Sequence, residues 1–135
     1  MSEENKELVQ RFYREWNAGN LDVIDELFAD PKLAARIRRG CGAYLAAFPD
    51  LHASVEELIA EGDKVVCRVI MTGTQDGEIK GIAPTGRHVS MDSVDIYRVE
   101  DGKFVGYWCQ ADVAGMTRQL TEERPLAAAS VGGAS

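Results

Sequence analysis

The segment from Asp95 to Leu120 constrains the fold of this chain more than any other. It places Asp101-Gly102 between two runs of apolar, β-branched and aromatic residues. This arrangement predicts a tight β-hairpin, because Gly tolerates the positive φ of the turn. The first strand of the hairpin is predicted to end at Val99, and the second to run from Lys103 to about Asp112. A short helix is predicted from Val113 to Leu120.

The second strand of the hairpin carries a candidate acid-base group. Because successive side chains point to opposite faces of a strand, Trp108, Gln110 and Asp112 are predicted to share one face. A carboxylate next to an aromatic wall suits a small pocket in which a proton is removed beside a carbonyl group. Two alternatives stay open: Asp112 can instead cap the helix that follows it, and Gln110 can face solvent.

The first part of the chain has the period of amphipathic helices. Ser2 and the acidic residues after it suit the start of a helix, and Gly19 suits its end. The apolar stripe of this helix consists of Leu8, Phe12, Tyr13 and Trp16. A second helix is predicted over residues 21–28 and a third over residues 33–48, where two central glycines make a kink or a break possible.

From Leu51 onward the apolar residues repeat with a period of two, which is typical of strands. Strands are predicted over residues 51–60, 64–73 and 88–99, before the strand that completes the hairpin. The Gly- and Pro-rich segment ahead of residue 88 is predicted to hold a short strand from Glu78 to Ile82. Helices followed by consecutive antiparallel strands indicate an α+β fold, in which the helices cover one face of a curved sheet and leave a pocket beneath them.

Length and composition indicate a single domain. The chain has 135 residues and is 45% hydrophobic, which suffices for one core. Residues 1–121 are expected to form this domain. The low-complexity end, residues 122–135, is expected to be disordered.

Charge and cysteine content limit the partners and the compartment. The net charge of −7 argues against nucleic acid or an anionic membrane surface, since both favour basic patches. No apolar run approaches the roughly 20 residues of a membrane span, and the acidic N-terminus does not resemble a signal peptide. The three cysteines suit reduced thiols in the cytoplasm. The isolated His52 and His88 make a poor metal site, so no metal is expected.

A set of short runs occurs in order between Asn5 and Leu120. They are Ala47–Leu51, Ala60–Arg68, Gly81–Arg87, Tyr97–Val99, Asp101–Lys103, Trp108, Asp112 and Gln119–Leu120. Together they resemble the SnoaL-like polyketide cyclase family of the NTF2-like superfamily. The resemblance implies the NTF2-like cone, with the N-terminal helices packed on the concave face of the sheet.

The same resemblance implies a function. Members of this family are usually dimers, here expected to pair through the outer sheet face, and they use neither a metal nor an organic cofactor. Their best-known reaction closes a ring of an aromatic polyketide by intramolecular aldol condensation, so the expected partner is a hydrophobic small molecule. An Asp at the position of Asp112 acts as the acid-base residue. Related branches open epoxides or assist hydroxylation, and a binding module without chemistry is a third hypothesis, because the fold does not fix the reaction.

Asp95 and His88 are the other catalytic candidates. In its Asp-Ile-Tyr-Arg run, Asp95 resembles the ketosteroid isomerase branch, in which a buried, protonated Asp donates a hydrogen bond to the oxyanion. It can equally form a polar pair with Arg98 or Arg68. His88 follows a Pro-Thr-Gly turn at a predicted pocket mouth.

Substrate contacts are expected from side chains that can line an apolar pocket. The candidates are Trp108, Gln110, Trp16, Tyr97, Phe12 and Met91. Apart from Gln110, these side chains can also simply pack in the core, which in a cone shares its surface with the pocket.

Two departures from the family pattern bear on the site. Tyr107 stands before the Trp of the last strand, where many members have His. The segment after Asp30 is shorter than usual and runs almost directly into a helix, which would open one wall of the pocket or require a partner subunit.

Overall fold

The computed structural model describes residues 2–122 of the chain. Its elements in order are α1 (Ser2–Asn17), α2 (Asp22–Leu27), α3 (Pro31–Ala47), β1 (His52–Glu61), β2 (Lys64–Thr74), β3 (His88–Glu100), β4 (Lys103–Ala111) and α4 (Val113–Thr121). Helices followed by a curved antiparallel sheet are the predicted α+β order, and this prediction is confirmed. The predicted disordered end lies outside the described residues, apart from Glu122.

The sheet is a meander in which each strand pairs with its neighbour in sequence, in the order β1-β2-β3-β4. Its inner face, which the helices cover, carries the alternating buried residues of β2 and β3. Tyr97 lies opposite Val65 on one side and Tyr107 on the other. The pairing of β3 with β4 shifts by one residue between Arg98 and Val99. This bulge reverses which side chains of β4 face inward beyond it.

The hairpin between β3 and β4 has the predicted turn. Asp101 and Gly102 both have positive φ, 51° and 74°. These are the conformations that a two-residue hairpin loop requires, and Asp and Gly adopt them at low cost. The turn fixes the register of β4, which ends one residue before Asp112.

An aromatic cluster joins α1 to the inner face of the sheet. The Phe12 ring centroid lies 6.1 Å from that of Tyr97 and 6.4 Å from that of Phe104. All three side chains are almost completely buried. Full burial of such a side chain contributes roughly 1.5–3 kcal/mol to folding, so this cluster fixes α1 on the sheet.

Hydrogen bonds fix the end of α1 on β1. The Asn17 side-chain amide donates to the carbonyl oxygen of Ala53 at 2.9 Å and accepts from its backbone N–H at 2.7 Å. Both polar groups of one strand residue are therefore satisfied by a single side chain from the helix.

α3 starts abruptly at the shortened segment. Asp30 caps the helix, its side chain accepting a hydrogen bond of 3.0 Å from the Lys32 N–H, and Pro31 occupies the first turn. This combination is favoured at helix starts, because Pro has no N–H to leave unpaired. The helix continues unbroken to Ala47, so its two central glycines do not interrupt it.

The prediction of a short strand from Glu78 to Ile82 is wrong. Ile79 and Ile82 exchange two backbone hydrogen bonds of 3.1 and 2.8 Å, and Lys80 and Gly81 between them have positive φ. These residues form a tight turn rather than a strand, because the pairing of Ile79 with Ile82 is an isolated bridge. No helix between residues 2 and 122 is both long and apolar enough to cross a membrane.

Candidate active site

A cavity of about 410 Å³ lies between the helices and the inner face of the sheet. Its walls come from α1, α3, the three strands β2–β4 and the start of α4. The lining residues are Phe12, Trp16, Arg36, Ile37, Gly40, Cys41, Tyr44, Met71, Met91, Asp95, Tyr107, Cys109, Gln110, Ala111 and Val113. This volume is in the range of small-molecule sites, and most of the lining is apolar or aromatic.

Asp95 is the only acid among the described residues that line the cavity. The alternation of β3 turns Ser93, Asp95 and Tyr97 toward the inner face, and Asp95 is only 3% exposed. The same alternation turns Arg98 outward. It therefore pairs with Asp63 at 3.0 Å, and not with Asp95.

Arg68, the other predicted partner of Asp95, also faces away from the cavity. Its guanidinium lies 3.0 Å from the Glu57 carboxylate on the neighbouring strand. The predicted polar pair between Asp95 and either arginine is therefore wrong, because both arginines belong to the outer face of the sheet.

Hydroxyl groups hold the Asp95 carboxylate in place. The Tyr13 hydroxyl donates to Asp95 Oδ2, and the Ser93 hydroxyl donates to Oδ1 at 2.6 Å. The Tyr13 and Tyr97 hydroxyl oxygens lie 2.6 Å apart. Burying a carboxylate is costly unless it is hydrogen-bonded or paired with a cation, and these hydroxyls supply the hydrogen bonds.

Burial keeps the nearby phenols protonated. It raises the pKa of Tyr13 and of Tyr97 well above the usual value. Tyr97 and Asp95 add to the rise of the Tyr13 pKa. Tyr107 and Asp95 add to that of the Tyr97 pKa, which the hydrogen bond with Tyr13 lowers in part. Burial likewise raises the pKa of Tyr107, with a further contribution from Asp95. These side chains are therefore hydrogen-bond donors at any working pH, which fixes the direction of the bond from Tyr13 to the carboxylate.

The cavity also contains thiols. Burial raises the pKa of Cys41 to about 12, and that of Cys109 is also raised, mainly by burial and next by Asp95. Thiols with such pKa values carry little thiolate, so neither is an activated nucleophile. Within residues 2–122 no group of three or more His, Cys, Asp or Glu side chains is placed to hold a metal ion.

Asp112 caps α4. Its side chain accepts a hydrogen bond of 2.9 Å from the Gly115 N–H, its own N–H donates to the Asp92 carbonyl, and the residue is exposed. It borders a shallow groove with Asp92 and Val94, and it does not line the cavity. Of the alternatives left open by the sequence, the capping geometry is the one present.

Trp108 lies on the outer face of the sheet, 52% exposed and opposite Ile96. Trp108 and Gln110 share a face as predicted, but the predicted contact between Trp108 and the pocket is absent. The bulge places one extra residue in β4 between Phe104 and Gly106, and this sets the alternation so that Tyr107 and Cys109 face inward. Gln110 touches the rim of the cavity and also the shallow outer groove.

His88 stands at the start of β3, outside the cavity lining. Its Nδ1 lies 3.0 Å from the Thr74 hydroxyl oxygen at the end of β2, and the residue is exposed. The predicted position at the pocket mouth is therefore wrong, because the alternation of β3 places His88 on the exposed face and Val89 on the buried one.

The remaining predicted substrate contacts divide into two groups. Phe12, Trp16 and Met91 line the cavity. Tyr97 is completely buried and contributes through its hydroxyl contact with Tyr13 instead. The Trp16 indole N–H is buried and has no hydrogen-bond partner among residues 2–122. The functional roles of these residues stay predictions.

Sequence reasoning missed several residues of the site. Tyr13 belongs to the predicted apolar stripe of the first helix, yet its hydroxyl also binds Asp95, 82 positions further along the chain. Ser93 could have been found from the two-residue period, since it precedes Asp95 on the same face of β3. Tyr107 is a cavity wall residue, and α3 forms the wall that the shortened segment was expected to open.

The sequence profile of the SnoaL-like polyketide cyclase family matches residues 7–120 of the chain. Aklanonic acid methyl ester cyclase DnrD from Streptomyces peucetius is 29% identical over an alignment that covers 88% of this chain and 92% of that protein. The aklanonic acid methyl ester cyclase AcmA from Streptomyces galilaeus is 36% identical over 75 residues. That alignment covers 54% of this chain and spans about half of AcmA, 52% of its length.

A solved structure agrees with these sequence matches. AclR from Streptomyces galilaeus, assigned provisionally as a hydroxylase, superposes with a TM-score of 0.80 at 28% identity, covering 92% of this chain and 100% of AclR. Profile, relatives and fold all indicate the family that the sequence resembles. The chain therefore belongs to the SnoaL-like polyketide cyclase family and is a polyketide cyclase-like enzyme.

Proposed function

We propose that this enzyme performs acid-base chemistry on a hydrophobic, carbonyl-containing small molecule, closing a ring by an intramolecular aldol-type step. We further propose that Asp95 exchanges the proton with the substrate. The observation that carries the proposal is a buried carboxylate, held by hydroxyl donors, at the wall of an otherwise largely apolar cavity. A cavity of this kind surrounds the reacting atoms with mostly apolar side chains and leaves the carboxylate as the nearest base.

The proposed step is balanced without a cofactor. The Asp95 carboxylate removes a proton next to a substrate carbonyl, and the resulting enolate carbon attacks a second carbonyl of the same molecule. A carbon–carbon bond forms, and the proton returns from Asp95 to the new alkoxide. The Tyr107 phenol, whose pKa is raised by burial, is a suitable hydrogen-bond donor to the enolate oxygen.

Asp95 is preferred over the other two catalytic candidates on positional grounds. The Asp112 carboxylate is engaged by the Gly115 N–H, and His88 lies beside Thr74. Neither residue borders the cavity. A base must reach the proton that it removes, so the candidate on the cavity wall has the advantage.

The test is proton exchange, because the natural substrate is not needed for it. The methyl protons of 2-acetylnaphthalene in D₂O would be followed by NMR with wild type, Asp95→Asn and Asp112→Asn, with folding checked by circular dichroism. We expect a folded Asp95→Asn variant to lose at least about 100-fold in rate, and Asp112→Asn to stay close to wild type. The reverse pattern would return the acid-base role to Asp112.

A hydroxylation-assisting reaction is the second candidate, and the likeness to AclR favours it. Epoxide opening belongs with it as an alternative of the same fold. A binding module without chemistry predicts an Asp112 that is exposed or engaged as a cap, together with a cavity filled by side chains. Asp112 is exposed and caps α4, whereas the cavity is open. Absence of exchange with any variant, together with binding of the ketone, would support the binding module.

We also propose a homodimer that forms through the outer face of the sheet. A row of apolar residues crosses all four strands there: Ile59, Val66, Ile96 and Trp108 lie opposite one another in register. Ile59 is 62% exposed and Trp108 52%, and nearby Val94 is 44% exposed. Such a continuous exposed apolar patch favours association.

Compartment and cofactor complete the proposal. The three cysteines of the described region are all unpaired, which supports a reducing compartment such as the cytoplasm. A carboxylate and phenolic donors suffice for the proposed proton transfers, so the reaction is proposed to need no cofactor.

A further inference from the structure

Arg36 is the only cationic side chain among the described residues that lines the cavity. It projects from α3 and is exposed, so it lies at the solvent side of the cavity, whereas Asp95 is buried on the sheet. Within residues 2–122 the Arg36 guanidinium has no ion pair. In the described part of the chain, the cavity therefore has a buried carboxyl group on one wall and a cation without an ion pair at its opening.

The neighbouring arginines of α3 differ from Arg36 in their surroundings. Arg38 is occupied by Asp22 at 2.9 Å and by Asp25 at 3.0 Å. Arg39 is exposed and does not line the cavity. Among residues 2–122, Arg36 alone combines a guanidinium without an ion pair with a place at the cavity wall, so it is available to a ligand while Arg38 is not.

The charge of the rest of the molecule makes this position significant. The chain has a net charge of −7 and the cavity contains Asp95, so the overall field opposes the entry of an anion. A guanidinium at the opening offsets this repulsion locally. Its fork of N–H donors matches the two oxygens of a carboxylate, which is the pairing in which Arg is most selective.

We propose that the substrate of this enzyme carries an ionised acid group, most simply a carboxylate, and that Arg36 binds it at the cavity opening. The apolar body of the substrate then fills the cavity and brings its reacting carbonyl toward Asp95. The orientation of the reacting end rests on the proposed function of Asp95. The recognition of the acid group by Arg36 is testable by binding alone.

The experiment compares 2-naphthoic acid, which is ionised at pH 7.5, with its uncharged methyl ester. Dissociation constants for both probes are measured by calorimetry with wild type, Arg36→Gln, Arg36→Lys and Arg39→Gln. The informative quantity is the ratio of the ester Kd to the acid Kd, because it removes effects common to both probes. Arg39→Gln is the matched control, since it removes the same charge from the same helix outside the cavity.

We expect the ratio to fall about fivefold in Arg36→Gln, through weaker binding of the acid, with the ester unaffected. Arg36→Lys should retain part of the preference, and Arg39→Gln should keep the wild-type ratio. Added salt should reduce the wild-type ratio, because the cation is at the solvent side of the site.

The proposal is overturned if Arg36→Gln leaves the ratio unchanged, if Arg39→Gln lowers it equally, or if wild type binds neither probe. This proposal and the acid-base proposal can be tested independently. Asp95→Asn should keep the preference for the acid while losing proton exchange with 2-acetylnaphthalene. A preference that depends on Arg36, with no Asp95-dependent exchange, would keep the acid-binding site and remove the proposed chemistry.

Discussion

The hydroxyl of Tyr13, on α1, donates a hydrogen bond to the carboxylate of Asp95, on β3. This bond links the helical layer to the sheet, and its acceptor, Asp95, is itself part of the cavity wall. The Tyr13 hydroxyl also lies 2.6 Å from that of Tyr97 and 3.9 Å from the Cys67 sulfur, so it is the centre of a small buried polar cluster. The same cluster therefore both holds α1 on the sheet and positions the Asp95 carboxylate.

Replacing Tyr13 by Phe should affect both stability and proton exchange. The variant removes one of the hydroxyl donors to a buried carboxylate, and an unmade bond of this kind costs about 1–3 kcal/mol of unfolding free energy. We expect the exchange rate of 2-acetylnaphthalene to fall as well, because the carboxylate loses its fixed position. Urea denaturation and the NMR assay measure the two effects.

Tyr97→Phe is the matched control for this change. Its hydroxyl contacts Tyr13 and not the carboxylate, so both effects should be smaller. Equal effects of the two substitutions would contradict the special position of Tyr13.

Replacing Asp112 by Ala should remove the cap of α4. The expected loss is about 0.5–2 kcal/mol of unfolding free energy, while Asp112→Asn should keep most of the cap, because its amide oxygen still accepts a hydrogen bond. Urea denaturation of the two variants distinguishes capping from any effect on the cavity. An Asp112→Ala variant as stable as wild type would show that the cap contributes nothing.

Gly115→Ala should break the same cap from its other side. A Cβ at this glycine would lie 2.8 Å from Asp112 Cγ and even closer to Oδ2, so the carboxylate would have to move away. Because both changes remove one interaction, the double variant Asp112→Ala with Gly115→Ala should lose less than the sum of the single losses. Additive losses in urea denaturation would indicate two independent causes.

A charge in the apolar row of the outer face should prevent dimer formation. Trp108→Lys places a cation in the row opposite Ile96, and burying an unpaired charge in an interface is unfavourable. Sedimentation velocity should therefore give a dimer for wild type and a monomer for this variant. Gln10→Lys adds the same charge at an exposed position of α1 and should leave the dimer intact. A wild-type monomer at all concentrations would remove the proposed interface.

The stability of the protein should fall in mildly alkaline solution because of Cys67. Burial raises the pKa of this thiol from 9.0 to about 12 in the folded state. The folded state then holds a proton that the unfolded state releases, so this contribution is present below pH 9 and is lost as the pH rises from 9 toward 12. Between pH 8 and pH 10 the loss is on the order of 1 kcal/mol.

Urea denaturation of Cys67→Ala at several pH values isolates this contribution. The variant should be less stable than wild type at pH 8, since it leaves a small cavity, but its stability should decline less steeply with pH. Cys109→Ala removes a more exposed thiol whose pKa is also raised by burial, so its stability should decline less steeply than that of wild type but more steeply than that of Cys67→Ala. Equal slopes for wild type and Cys67→Ala would contradict the role of the buried thiol.

The elements that were predicted correctly are those whose signals are local. Asp101-Gly102 gives the hairpin because the turn needs positive φ at both positions. The third helix was predicted from residue 33, and the Asp30 cap with the Pro after it starts α3 two residues earlier. The order of helices and strands then decides the fold class, and no distant contact is needed to infer it.

The parts of the site that could not be predicted depend on distant contacts or on register. The bulge between Arg98 and Val99 decides which face of β4 looks inward, so the sequence cannot tell that Tyr107 faces the cavity and Trp108 faces away. The contact of Tyr13 with Asp95 spans 82 positions and leaves no local pattern. Asp95, Phe12, Trp16 and Met91 were named in advance as candidates and do line the cavity, while their roles remain predictions.

The double hydrogen bond between Asn17 and Ala53 has a consequence for the surface of the molecule. β1 is an edge strand of the sheet. The Asn17 amide binds the backbone groups of Ala53 that a further strand would otherwise pair with. The register shift between Val55 and Glu57 disturbs the same strand two residues later. Exposed edges invite pairing with other chains. The amide occupies the outward backbone groups of Ala53, and the shift makes the strand irregular nearby, so this part of the edge is a poor template for another strand.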